Sequence, residues 1–247
     1  MLNVGVIMFV THKSIDIVTL AKKVEALGFE SLWLPEHPII PVHMETRFPG
    51  TPDGILPEVY KQLVDPFVAL GAAAAVTRQL KVATGICLVP ERNPLLLAKE
   101  VATVDLISGG RFLFGIGAGW LREEAEILGA DFPHRWTQTR DAVLAMKELW
   151  TKDQASYRGS HVSFPPLWCY PKPVQKPHPP IILGGEAKNV LKRVVEWGDG
   201  WMPRGNNLQV EEITAARKEL DRLAREAGRD PKSLTITIFR AEPDPAS

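Results

Sequence analysis

The chain has 247 residues, enough for one large domain or two small ones, and apolar residues make up 45% of it, enough for a sizeable core. Its 29 Lys and Arg balance its 29 Asp and Glu, so no basic excess points to nucleic acid or to an anionic membrane surface. The longest apolar stretch, around LGAAAAV, is too short to span a bilayer, the start lacks the pattern of a signal peptide, and Cys87 and Cys169 form no CxxC, so a reduced cytoplasmic protein is the simplest expectation.

Strand-like and helix-like segments alternate along the chain. LNVGVIMFV (2–10) reads as a buried strand, and 14–28 as a helix with Ser14 as its N-cap and Gly28 as its stop. SLWLPEH (31–37) is a second strand. The segment 65–77 is a helix opened by Asp65 and Pro66, and its alanines suit close packing on a partner copy or on its own sheet. KVATGICLV (81–89) is a third strand, and 93–110 a helix with the same cap-then-proline start. RFLFGIGAG (111–119) is the fourth strand, followed by a helix at 135–150. Then come PIILGG, the helix AKNVLKRVVEWG, the short strand DGWMP, a helix over 210–228, and LTITIF.

Strict alternation of this kind predicts a parallel sheet, and continuously apolar strands predict burial on both faces. A single (β/α)8 TIM barrel over residues 1–247 is the fold expected at this length, with an open doubly wound sheet as the other form. Two segments break the rhythm: a long connection at 38–64 and a proline-dense insertion at 151–180. Loops this long line active faces or run as extended surface segments. Seven strands can be counted, so the last βα unit is expected to be absent.

RFLFGIGAGW raises the first functional question. Its glycines, Gly115, Gly117 and Gly119, are spaced G-x-G-x-G, not the G-x-G-x-x-G of a dinucleotide loop, and no acidic residue ends a strand about twenty positions on. Two other uses of glycine remain. Gly117 and Gly119 lie on one face of a strand and could clear room for a flat ring, or they could serve tight packing inside a barrel.

Taken together, the stretches GFESLWLPEH, KVATGICLVPERNPLLLAKEVATVDLISGGRFLFGIGAGWLREEAEILGADF, PKPVQKPHPPIILGG and WGDGWMP resemble the luciferase-like monooxygenase superfamily, and within it the branch of coenzyme F420-dependent oxidoreductases. They occur in family order over most of residues 2 to 205. The resemblance implies a (β/α)8 barrel with an insertion after strand four, F420 as cofactor with FMN as the alternative, a small-molecule substrate and a homodimer, with a separate reductase if FMN is used.

The same resemblance implies a site. His37, ending strand two, matches a histidine beside the reactive ring edge, and histidine suits proton transfer near neutral pH. Its neighbour Glu36 is expected to hold and charge it. Thr84, Gly85 and Ile86 match a bulge with a non-proline cis peptide that backs the ring, while Gly117, Gly119 and Trp120 border it. Gly184, Gly185 and Ala187, between a strand and a helix start, are expected to bind phosphate through backbone N–H groups. Trp120 stands where the sugar-phosphate dehydrogenases of the family carry a catalytic acid, so that activity is not expected. Trp120, His12 and Trp201 are candidates for the substrate pocket. Glu123 and Glu124 read as a solvated helix start, Cys87 as a small core residue, and the histidines show no metal-ligand spacing. Three functions follow: an F420-dependent oxidoreductase, an FMNH2-dependent two-component monooxygenase, and a non-catalytic flavin-binding homologue.

Overall fold

A computed structural model describes residues 3–205 and 208–239. The chain resolves into two compact units, the first running to Pro179 and the second from Pro180.

In the first unit, four strands run parallel: β1 (Gly5–Ile7), β2 (Ser31–Leu34), β3 (Lys81–Thr84) and β5 (Phe112–Gly117), in the order β1-β2-β3-β5. The stretch read as one strand over 81–89 is two. The cis peptide Gly85–Ile86 separates β3 from β4 (Cys87–Leu88), which pairs farther along β5, at Ile116 and Gly117. The connecting helices are α1 (Ile17–Ala26), α2 (Pro66–Val76) and α3 (Pro94–Ser108). Asp65 and Asn93 cap α2 and α3 ahead of a proline, and Gly109 ends α3 in the left-handed region. At α1 the cap is Asp16, not Ser14: Asp16 accepts from the Thr19 amide, while Ser14 closes a turn with Thr11. The alanine-rich α2 packs against α1, α3 and β3 of its own unit through Ala69, Leu70, Ala73 and Ala74.

Helices α4 (Arg122–Ile127) and α5 (Arg135–Thr151) follow β5. The proline-dense insertion holds an antiparallel hairpin that its composition hid, β6 (Gln154–Arg158) with β7 (Ser163–Trp168). Pro165 and Pro166 obscure β7 in the sequence, yet a two-stranded ribbon tolerates proline because each strand is an edge. Asp141 on α5 anchors the ribbon, accepting from the Tyr157 hydroxyl at 2.7 Å and the Val162 amide at 2.8 Å. The second unit repeats the βα pattern with β8 (Ile181–Gly184), α6 (Val190–Trp197), β9 (Gly200–Met202), α7 (Val210–Glu226) and β10 (Thr235–Ile236), its strands parallel in chain order. The tail after Phe239, RAEPDPAS, lies outside the described residues.

Candidate functional site

The C-terminal ends of parallel strands leave backbone and side chains free to converge, and catalytic groups of βα folds gather there. His37 follows β2 and Trp120 follows β5. The His37 ring is held from both sides. Its Nδ1 lies 2.6 Å from Oε2 of Glu124, on α4, and its Nε2 lies 3.3 Å from the indole Nε1 of Trp120, which donates. The His37 side chain is 6% exposed and that of Glu124 0%. A carboxylate this deeply buried needs a partner, and His37 supplies it.

The expectation of a solvated helix start at 123–124 is therefore corrected. Leu121, Glu124 and Ala125 are all buried, so Glu124 lies on the inward stripe of α4, and that three-to-four spacing was the signal for it in the sequence. Glu123 is engaged too. Its Oε1 accepts the amides of Glu45 and Thr46 at 2.6 and 2.9 Å, which ties down the long 38–64 connection. Burial pushes the Glu123 carboxyl up, but these amides outweigh it and hold its pKa down at about 2.

The long connection packs against His37. Tyr60 sits edge-on to His37 at a centroid distance of 5.3 Å and to Phe9 at 5.2 Å. Phe48 meets Tyr60 at 5.0 Å and Trp120 at 5.3 Å. His37 is thus bordered by the ring edges of Tyr60 and Trp120, with Phe48 against both. The insertion at 151–180 is anchored instead on α5.

Glu36 does not hold His37. Past the end of β2, Glu36 turns to the Leu88 amide, 2.6 Å from its Oε2, and to Arg92, whose Nε is 2.7 Å from its Oε1. Arg92 also pairs with Asp65 at 2.7 Å and Glu100 at 3.1 Å. Glu36 is thereby a buried structural anchor between β2, β4 and the start of α3, and the carboxylate that meets His37 is Glu124. Nearby, Glu91 is buried, and neither of its carboxyl oxygens has a hydrogen-bond partner. Burial, with the charges of Glu124 and Glu36 behind it, raises its pKa to about 9, so it is a neutral acid at pH 7.

The three glycines of the fourth strand meet the protein itself. A Cβ on Gly115 would strike the Thr84 carbonyl, one on Gly117 the Ile86 side chain, and one on Gly119 would lie 2.8 Å from Oε1 of Glu91. Of the two uses open for them, the packing one is what the structure displays: β5 is stripped of side chains so that the 84–86 bulge and Glu91 fit against it. Thr84 is fully buried with its hydroxyl donating to the Gly115 carbonyl, Gly85 is buried, and Ile86 stays half-buried. Cys87 is fully buried, and burial, reinforced by the Glu36 charge, pushes its thiol well up, as for an inert core residue.

In the second unit, Gly184 ends β8 and Gly185 adopts φ +93° with open space where a side chain would stand. Helix α6 begins with no side-chain hydrogen bond to its first turn, and Ala187 is half-buried just before it. Trp201 is buried, its indole donating to the Gly185 carbonyl at 2.8 Å. His12 is exposed on the first unit. Among the described residues, no group of three or more His, Cys, Asp or Glu side chains is placed to hold a metal ion, and no helix is long and apolar enough to cross a membrane.

The chain belongs to the luciferase-like monooxygenase family, whose profile matches residues 10–241. An uncharacterized protein of Mycobacterium tuberculosis is 38% identical over 242 residues, covering 96% of this chain and 84% of that relative. The FMNH2-dependent dimethylsulfone monooxygenase of Pseudomonas putida is 34% identical over 152 residues (58% of this chain, 42% of the relative). The F420-dependent glucose-6-phosphate dehydrogenase of Amycolatopsis mediterranei is 26% identical over 211 residues (83% and 58%). Among solved structures, the coenzyme F420-dependent tetrahydromethanopterin reductase of Methanopyrus kandleri superposes with a TM-score of 0.75 at 22% identity, covering 96% of this chain and 65% of that one. The barrel class expected from the sequence is thus the fold of the chain.

Proposed function

We propose that the chain is an F420-dependent oxidoreductase acting on a small organic substrate, with His37 handling the proton at the substrate oxygen. The observation that carries this reading is the buried His37–Glu124 pair at 2.6 Å. A histidine backed by a carboxylate takes or gives one proton per turnover, which hydride transfer at an alcohol or carbonyl carbon requires. F420, when bound, supplies the hydride-accepting or hydride-donating carbon. On the family resemblance Thr84, Gly85, Ile86 and Trp120 would border the ring, with Gly117 and Gly119 making room for the 84–86 bulge and Glu91 behind it, and in the second unit Gly184, Gly185 and Ala187 would take a phosphate. Trp120 in place of a carboxylic acid argues against a sugar-phosphate substrate. The chain is expected to work in the cytoplasm as a homodimer.

The second reading is an FMNH2-dependent monooxygenase fed by a separate reductase, and the 34% identity to the dimethylsulfone enzyme favours it. One assay separates the readings. Purified protein is mixed with oxidised F420 and a panel of secondary alcohols, and loss of the deazaflavin absorbance is followed; in parallel, FMNH2 is supplied under air and oxygen uptake is measured. F420 reduction with no protein-dependent oxygen consumption supports the proposal. Substrate-dependent oxygen consumption with FMNH2 sinks it, and binding of neither cofactor leaves a non-catalytic homologue.

A further inference from the structure

Oε2 of Glu124 lies 2.6 Å from Nδ1 of His37, so a proton on that nitrogen has an acceptor in place. An imidazolium can give a proton but cannot take one. The second nitrogen decides which form the ring adopts, and on that nitrogen sits a donor. The indole N–H of Trp120 has no acceptor capacity, so at 3.3 Å it must point its hydrogen at the Nε2 lone pair. A protonated Nε2 would set two N–H groups against each other. The network therefore has one consistent protonation pattern: Nδ1–H donates to Glu124, and Nε2 is an unprotonated acceptor filled by Trp120.

We propose that Trp120 is a positioning residue that fixes the His37 tautomer, with the hydrogen on Nδ1 toward Glu124 and Nε2 kept as the acceptor that takes a proton. This rests on the reading of His37 as the proton-handling group. The ligand that matches such a nitrogen must bring its own donor to take the place of the indole N–H. A neutral hydroxyl does this; a carbonyl oxygen, which can only accept, does not. The site is thereby set for compounds that carry O–H at the reacting position. The ring is kept in this state from every side: Glu124 from α4, Trp120 from the end of β5, and the Tyr60 ring edge from the long connection, with neutral Glu91 adding no charge to the Glu124 side at pH 7. Phe48 packs on Trp120 at 5.3 Å and steadies the indole.

The test reads the ring nitrogens directly and needs neither cofactor nor turnover. In the full chain labelled with 15N-histidine, two-dimensional 1H–15N correlation at pH 7 should show His37, assigned by its loss in His37→Gln, with a protonated Nδ1 and a bare Nε2. In Trp120→Phe, which keeps a ring against Phe48 and removes only the donor, Nε2 should take up a proton at a higher pH than in the wild type. Trp120→Gln, which restores an N–H without the ring, should move the titration back toward wild type. A wild-type His37 with Nε2 protonated and Nδ1 bare, or a Trp120→Phe spectrum and titration unchanged from wild type, overturns the inference. Failure to bind F420 with the wild-type nitrogen pattern intact would count against the proposed function alone.

Discussion

Glu124 grips Nδ1 of His37 at 2.6 Å, although 87 positions separate the two residues and a different glutamate, Glu36, precedes His37 in the chain. The strand end delivers the histidine, and the helix after β5 delivers its carboxylate. A proton carrier held by a group from another element is fixed in orientation by the fold itself, not by local turn chemistry.

Breaking this pair should damage turnover and spare binding. His37→Ala and Glu124→Gln are each expected to lower kcat by about 10²–10⁴-fold, the usual worth of positioned acid–base catalysis. Equilibrium binding of the cofactor should change little. Unchanged turnover in His37→Ala would remove that residue from the reaction.

Arg92 should matter for stability. It pairs with the buried Glu36 and lies over the Phe67 ring at 4.8 Å from the centroid. Arg92→Met preserves volume but strands the Glu36 carboxylate, at an expected cost of about 3–5 kcal/mol. Urea unfolding of the single variant and of Arg92→Met with Glu36→Gln checks this, because the second change should recover much of the loss. Equal destabilisation by the single and double variants would contradict the pairing.

Glu91 gives a pH signature. Its folded pKa is raised, by burial first, from the ordinary 4.5 to about 9. The unfolded chain releases this proton above about pH 4.5, while the folded chain keeps it to about pH 9, so the stability tied to this group is present at low pH and is lost as pH rises through that window. Glu91→Gln cannot ionise. Its melting temperature relative to wild type should therefore climb between pH 5 and pH 8, measured by calorimetry; a constant difference would show that Glu91 is ionised or partnered.

The stripped strand predicts an order of harm. Gly115→Ala drives a methyl into the Thr84 backbone carbonyl, whereas Gly117→Ala meets the tip of the Ile86 side chain, which can turn aside. Gly115→Ala should be the more destabilising, and Gly117→Ala should fold while altering the bulge. Thermal melts of the two variants decide it.

Much of this was legible in the sequence. Cap-then-proline pairs at Asp65-Pro66 and Asn93-Pro94 announced two helices, because those local interactions need nothing distant. The place of His37, just past the second strand, was legible. Its partner was not, since Glu36 is adjacent in the chain, yet it pairs with Arg92, while Glu124 reaches His37 from 87 positions away. Tyr60 and Phe48 were hidden in a segment with no periodicity, and the hairpin at 154–168 lay under prolines. The glycines were visible, but what fills the space beside them depends on the 84–86 bulge and on Glu91, which arrive from other elements.

The most direct measurement is anaerobic equilibrium binding of oxidised F420 and of FMNH2 to the wild-type chain, each followed by its own absorbance or fluorescence change. The proposed function requires saturable F420 binding, tighter than that of FMNH2, and retained in His37→Ala. Tighter binding of FMNH2, with F420 failing to saturate, would contradict it.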